Sequence, residues 1–496
     1  MNFLFLMTDQ HRVDTLGAYG NTQVRTPHLD RLAATGTRFD RWYTPTAICT
    51  PARASLLTGQ APFRHKVLAN AERNVGYVED LPADAFTFPV ALREAGYNCG
   101  LVGKWHAGTE REPKDYGLDG VHLPGWHNPV EHPDYLAYLE ERGLPPYRIS
   151  DRVRGTLPNG GPGNLLAARL HQSVEATFEH YLADRAIEML QRYAEDVHAH
   201  DQPFYLGLHF FGPHLPYVIP DRYFDLIDPE LVELPRSIAE TFEGKPPVQK
   251  NYSEHWTFDT MPIEVTRKLI AVYWGYVAMI DEQVSRVLAA MEELGLRDST
   301  AVFFSSDHGE FTGAHRLHDK GPAMYEDIYR TAGLVRFPGG PEGQVRDELV
   351  SLLDCTATIL ELAGLDATPA VDSRSLVPLV SGEQPEWAQD LVCEFHGHHF
   401  PYPQRMLREE RYKLVVNPAD VNELYDLETD PDELSNRYKH PELQPVRDRM
   451  MRRLYTLLRE RDDRFYHWMT SMYDVGELDY DPMMSGLDES TYTQVP

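Results

Sequence analysis

Along most of this chain, short apolar runs alternate with longer segments in which apolar residues recur every three or four positions. Phe3–Met7, Gly100–Val102, Phe204–Phe210 and Ala301–Ser305 are near-continuous apolar runs of strand length. Runs of that kind mark strands buried on both faces of a sheet. Phe88–Ala95, Val174–Ala199, Ile263–Leu294 and Glu348–Ala363 read as helices, the last two with apolar residues at three- and four-residue spacing. Strands alternating with helices predict an α/β fold. Each strand runs directly into reactive side chains: Asp9-Gln10-His11-Arg12, Lys104 and His106, Pro213-His214, and Asp307-His308-Gly309-Glu310. Sites in open α/β sheets form beyond the carboxyl ends of the strands, so four distant segments are predicted to meet at one place.

Helical periodicity fades over residues 366–390, where Pro and Ser accumulate. Beyond it, Arg411–Val416 and Glu423–Leu427 read as strands of a small antiparallel sheet, and Gln444–Arg461 as an amphipathic helix. The expected division is a main domain over 1–375, a smaller C-terminal α+β domain over 376–461, and a tail over 462–496. The tail is acidic and rich in Tyr and Met, and Phe465, Tyr466 and Trp468 cluster in it. An arm packing on a neighbouring subunit would bury them, giving a homodimer or homotetramer.

The 496 residues carry 47 basic and 76 acidic side chains, a formal charge of −29. That balance argues against nucleic acid or an anionic membrane as partner. It also means that any site for an anion must gather its own cations. No apolar run approaches the ~20 residues that span a bilayer. Met1–Met7 lacks the basic start and cleavage site of an export signal, so a cytoplasmic location is expected. The four cysteines, Cys49, Cys99, Cys355 and Cys393, have neither zinc-type spacing nor the density of a disulfide scaffold.

One of them stands apart. In Cys49-Thr50-Pro51-Ala52-Arg53, Thr50 reads as an N-cap, Pro51 as the first helical position and Gly59 as the stop. Cys49 would then lie just outside a helix N-terminus, where anions are favoured. A thiol there beside Arg53 suggests a nucleophile facing an anionic substrate. Asp9 and Asp307 offer hard oxygen ligands, Gln10 an amide oxygen and His308 an imidazole, a set suited to a divalent cation. Lys104 and His106 share one side of an extended segment and pair a cation with a base.

The run Thr26–Gly36, followed by Cys49–Arg53 and Leu56–Gly59, resembles the first signature of the type I sulfatases of the alkaline phosphatase superfamily; Gly96–Gly108 resembles the second. The likeness extends from Asp9 to about Asn436. It implies an alkaline-phosphatase-like α/β/α sandwich with a large mixed sheet. It implies that a formylglycine-generating enzyme oxidises Cys49, and that the hydrated aldehyde attacks a small sulfate ester. The implied cofactor is one divalent metal, Ca²⁺ first, with Mn²⁺ or Mg²⁺ as alternatives. Gln10 and His308 depart from the commoner Asp and Asn of the family. By the same resemblance, Arg53 stabilises the nucleophile, Lys104 holds a sulfate oxygen and His106 deprotonates the hydrate to expel sulfate. His214 and Lys320 bind the ester and protonate the leaving group. Asn70 and His396, the latter in a histidine-rich loop over Glu394–His399, are further candidates for substrate contact, and His315 and His318 flank Lys320. Two other readings stay open. A phosphonate monoester or phosphate diester hydrolase shares the nucleophile and the Asp-Gln and Asp-His pairs, but Lys104 and His106 argue for sulfate as the main substrate, with phosphodiesters or phosphonates as secondary ones. An anion-binding protein with unmodified Cys49 would not require His106, His214 and Lys320.

Overall fold

The computed structural model describes residues 1–70, 78–123, 125, 129–418, 420–467 and 469. A nine-stranded mixed sheet forms its centre, in the order Gln344–Arg346, Thr37–Tyr43, Arg330–Arg336, Thr300–Ser306, Asn2–Thr8, Phe204–His209, Asn98–Lys104, His122–Leu123, with Val350–Ser351 also paired to Thr37–Tyr43. The four strands foreseen from apolar runs are adjacent and parallel in the middle of this sheet. Arg330–Arg336 runs antiparallel between Thr300–Ser306 and Thr37–Tyr43.

Alternation along Asn2–Thr8 explains the layers. Leu4 and Leu6 pack with Tyr181, Leu182, Tyr276 and Ile280, from the long helices Phe178–His200 and Ile263–Glu293. Phe3, Phe5 and Met7 point the other way, against Leu56, Phe88 and Ile359 of the helices Cys49–Thr58, Phe88–Glu94 and Asp354–Leu362. Helices on both faces make the expected α/β/α sandwich. Among the described residues, no helix is long and apolar enough to cross a membrane.

The C-terminal sheet, in the order Asp390–His398, Phe400–Glu409, Tyr412–Val416, Glu423–Asp426, is antiparallel. Its strands also alternate. Cys393, Phe395, Met406, Val415 and Tyr425 face the main body, while Leu407, Leu414, Val416 and Leu424 face Leu454 and Leu458 of the helix Gln444–Glu460.

Several elements differ from their expected form. The segment expected as helix over Glu348–Ala363 starts as the short strand Val350–Ser351 and turns helical only at Asp354, whose Oδ2 accepts from the Ser351 N–H at 2.8 Å. The first turn of the Val174–Ala199 helix is a separate 3₁₀ turn, and Thr177 caps the helix proper by accepting from the His180 N–H at 3.3 Å. The histidine-rich stretch expected as a loop belongs mostly to the strand Asp390–His398. Leu376, Leu379, Val380 and Trp387 pack beneath the large sheet, and the small sheet has two strands, Asp390–His398 and Phe400–Glu409, ahead of the two expected from sequence. A hairpin, Ile149–Thr156 with Pro162–Leu170, joined by Tyr217–Pro220, was not foreseen. Of the tail, Phe465 and Met469 pack in the core of the small sheet. Phe465 and Tyr466, two of the three aromatic residues on which the arm expected over 462–496 rests, are thus covered by their own chain, while residue 468 and residues 470–496 lie outside the described residues.

Candidate active site

Backbone hydrogen bonds tie the strand ends together. The Asp9 N–H donates to the Gly212 carbonyl (3.1 Å) and the His11 N–H to the His308 carbonyl (2.9 Å). Asp9, Gln10, Asp307 and His308 thereby meet at the carboxyl edge of the central strands, all with zero exposure. Cys49 arrives from the helix packed beside them. It is the first residue of that helix, with Ile48 as N-cap, so the expected cap at Thr50 is one turn position inside. The side chain that takes over is Asn70, whose Oδ1 accepts from the Thr50 N–H at 3.0 Å. Gly59 ends the helix in the left-handed region (φ 64°), as the sequence indicates.

Four groups there converge as ligands. One donor atom from each of Asp9, Cys49, Asp307 and His308 lies within 4.8 Å of the others. Cys49 Sγ is 3.1 Å from His308 Nε2 and 3.8 Å from Asp9 Oδ1. His308 Nδ1 lies 2.8 Å from the Gly309 carbonyl, which makes Nε2 the nitrogen available to a cation. Two carboxylates, one imidazole and an oxygen or sulfur at position 49 fit a divalent metal ion. Gln10 completes the rim with its amide clamped: Nε2 donates to Glu310 and to Asp319 (3.0 Å), and Oε1 accepts from Lys320 Nζ (3.2 Å).

Cations surround the carboxylates. Arg53, one helical turn from Cys49, donates from Nε to Asp307 (2.9 Å) and from Nη2 to Asp9 (3.1 Å). Lys104 Nζ pairs with the same Asp9 oxygen and lies 5.6 Å from the Phe211 ring centre. Burial would raise the Asp9 pKa, but Lys104, His214, Arg53 and His308 hold it well below the usual carboxylate range. Against burial, Asp307 and Cys49 push His308 up to about 9. Against burial and Asp9, Lys320, Lys104 and His308 lower the Cys49 thiol.

Lys320 Nζ is 2.9 Å from Asp319 Oδ1 and 3.3 Å from His214 Nε2. Burial opposes its charge, yet Asp319, Cys49 and Asp9 raise its pKa well above the ordinary lysine value. His214 Nδ1 is 2.7 Å from the Leu215 carbonyl, so that nitrogen donates and Nε2 accepts. Burial and Lys320 hold His214 well below the usual histidine value. His106 is held low by burial, Lys104 and Arg53, and its Nδ1 has no hydrogen-bond partner among the described residues. Gln10, His106 and Asp319 adopt φ of 63°, 41° and 64°, a conformation non-glycine residues reach only when the surroundings enforce it.

His396 sits elsewhere. Its Nε2 is 2.7 Å from Glu394, which also accepts from the Phe63 N–H. The register shift between Phe395 and Gly397 breaks strand alternation, and it is His398 that reaches the cluster, 3.5 Å from Asp319. His315 is buried between Glu240 and Asp327, and His318 stacks on Phe258 with Nδ1 3.5 Å from Glu310. Sequence reasoning missed Asp319 and Glu310 as anchors of Gln10 and Lys320, although one adjoins Lys320 and the other follows Asp307-His308-Gly309. It also missed His209, the last residue of its strand, 3.4 Å from Arg53.

Residues 1–365 match the Sulfatase family model, and residues 313–460 match the model described as N-sulphoglucosamine sulphohydrolase, C-terminal. The "Uncharacterized sulfatase YidJ" of Escherichia coli is 28% identical, covering 94% of this chain and 89% of its own length. A choline-sulfatase of Rhizobium meliloti is 28% identical over 95% of this chain and 88% of that protein. Among solved structures, a phosphonate monoester hydrolase from Silicibacter pomeroyi superposes with a TM-score of 0.78 at 26% identity, covering 94% of this chain and 96% of that one. Sheet, buried cation-carboxylate cluster and family model agree: this chain belongs to the sulfatase family, hydrolases of sulfate esters in the alkaline phosphatase superfamily.

Proposed function

We propose that the chain cleaves sulfate monoesters at the Cys49 cluster, with residue 49 as nucleophile after oxidation of its thiol to formylglycine. The observation that carries this reading is the setting of Cys49 Sγ: the start of a helix, 3.1 Å from His308, with Arg53, Lys104 and Lys320 buried around it. Cys49 has zero exposure, so a maturation enzyme has to reach it before the chain folds. A divalent cation held by Asp9, Asp307, His308 and the oxygen of residue 49 would supply Lewis-acid stabilisation of charge on the nucleophile and the sulfate group; Gln10, its amide engaged by Glu310, Asp319 and Lys320, lies beside these ligands rather than among them. Ca²⁺ suits the oxygen donors best; Mn²⁺ and Mg²⁺ are the alternatives.

The remaining work falls to side chains. Arg53 donates to both carboxylates and holds them in register. Lys104 neutralises charge on a sulfate oxygen. The proton for the leaving oxygen sits on Lys320 Nζ, because His214 Nε2 is an acceptor facing it. Neutral His106 is the base that completes turnover.

A second reading has its own support: Gln10 and the Asp307-His308 pair, with the structural likeness to a phosphonate monoester hydrolase. Side-by-side hydrolysis of 4-nitrophenyl sulfate and 4-nitrophenyl phenylphosphonate separates the two. Faster sulfate turnover, abolished in Cys49→Ala, is expected; faster phosphonate turnover would transfer the chain to the second reading. The mass of the peptide carrying residue 49 reports the conversion directly, since sulfur and two hydrogens are exchanged for one oxygen.

A further inference from the structure

A second convergence of metal-type donors stands behind Lys320. One ligand atom from each of Asp319, His398 and His399 lies within 4.8 Å of the other two. Asp319 and His398 are buried and His399 is half-buried. Asp319 divides its oxygens: Oδ1 takes Lys320 Nζ (2.9 Å) and Gln10 Nε2 (3.0 Å), while Oδ2 faces His398 Nε2 at 3.5 Å. The two imidazoles lie side by side, ring centres 3.8 Å apart and planes 29° apart.

Consecutive strand residues normally point to opposite faces. Here the strand ends at His398, its register shifts between Phe395 and Gly397, and His399 adopts φ 65°. The backbone departs from alternation at the place where doing so brings both imidazoles to one carboxylate. Two imidazoles and a carboxylate favour a first-row transition ion or zinc. The Cys49 cluster, richer in oxygen, favours a harder cation.

We propose that Asp319, His398 and His399 form a second divalent-metal site, selective for zinc-like ions and separate from the cluster at Cys49. An ion held there shares Asp319 with Lys320 and Gln10, so its occupancy is coupled to the groups that hold Lys320. The site does not depend on the sulfate-ester reading.

The test uses tag-free full-length protein carrying Cys49→Ala, so that the thiol recruits no zinc. The protein is equilibrated with excess Ca²⁺ and a small molar excess of Zn²⁺, desalted, and its metals counted by mass spectrometry. Adding His398→Ala and His399→Ala is expected to remove about one zinc per chain, as loss of two of three ligands should. Adding Asp307→Asn instead is expected to retain that zinc and lose Ca²⁺. Zinc absent from the Cys49→Ala protein, or unchanged by loss of the two histidines, overturns the proposal. Zinc lost with Asp307→Asn assigns it to the first cluster and overturns it equally. If the alanine pair lowers the melting temperature enough to compromise folding, His398→Gln with His399→Gln is read by the visible spectrum of added Co²⁺. The imidazole-ligated bands of the Cys49→Ala protein are expected to vanish, and their persistence counts against the site.

Discussion

Arg53 is the side chain on which the electrostatics of the cluster turns. Asp9 and Asp307 have zero exposure, and Arg53 reaches both with one planar group. Removing one partner of a buried ion pair leaves charge without compensation and costs about 3–5 kcal/mol. Arg53→Ala is therefore expected to lower stability by that amount and to abolish turnover. Arg53→Lys keeps the charge but reaches one carboxylate, so it should recover part of the stability and little of the activity. Denaturant midpoints of the three proteins check this; an unchanged midpoint in Arg53→Ala would remove Arg53 from the role. Lys320 allows a sharper chemical test. If its Nζ carries the proton for the leaving oxygen, the loss in Lys320→Ala should depend on how much the leaving group needs one. We expect kcat to fall by roughly 10²–10⁴ for an alkyl sulfate and far less for 4-nitrophenyl sulfate, whose phenolate leaves unprotonated. Equal losses on both substrates would restrict Lys320 to binding.

At the scale of elements, the helix that carries Cys49 is capped by a residue from outside itself. Asn70→Ala removes the acceptor for the Thr50 N–H and should cost about 0.5–2 kcal/mol in thermal unfolding, with the fold retained. A melting temperature equal to that of the native protein would discard the cap. A second helix start responds to pH. Asp281, on the long helix Ile263–Glu293, accepts from the His28 and Leu29 N–H groups at the start of Pro27–Ala34. Burial first, then Asp30 and Glu282, raises its pKa to about 7 from 3.8, outweighing those two hydrogen bonds. A carboxyl raised in the folded state stabilises while protonated, so this contribution is complete below pH ~4 and is lost as pH rises through ~7. Asp281→Asn should flatten that slope, seen in denaturant midpoints at several pH values; an unaltered slope contradicts the assignment. These details also mark the limit of what sequence discloses. The four central strands were legible because burial on both faces makes them continuously apolar. The reactive residues at their ends followed from topology. Asn70 as a cap, the two-residue strand Val350–Ser351 and the turn that favours His398 over His396 depend on pairing between distant segments, which local pattern does not encode.

At the scale of the whole molecule, a chain of net charge −29 binds an anion. Its field opposes the approach of a sulfate ester, while Arg53, Lys104 and Lys320 attract it locally with charges already shared with Asp9, Asp307 and Asp319. Long-range repulsion is screened over about 10 Å at 0.1 M salt, whereas buried contacts at 3 Å are screened much less. The two scales therefore separate in their salt dependence. For an anionic ester, kcat/KM is expected to rise about twofold between low and physiological ionic strength, with kcat nearly constant, because salt weakens the repulsion before the contacts. For a zwitterionic ester of zero net charge the rise should disappear, since the molecular field exerts no net force on it. A fall of kcat/KM with salt for the anionic ester would mean that the local cations govern approach as well as binding. The acidic surface would then have no part in the encounter.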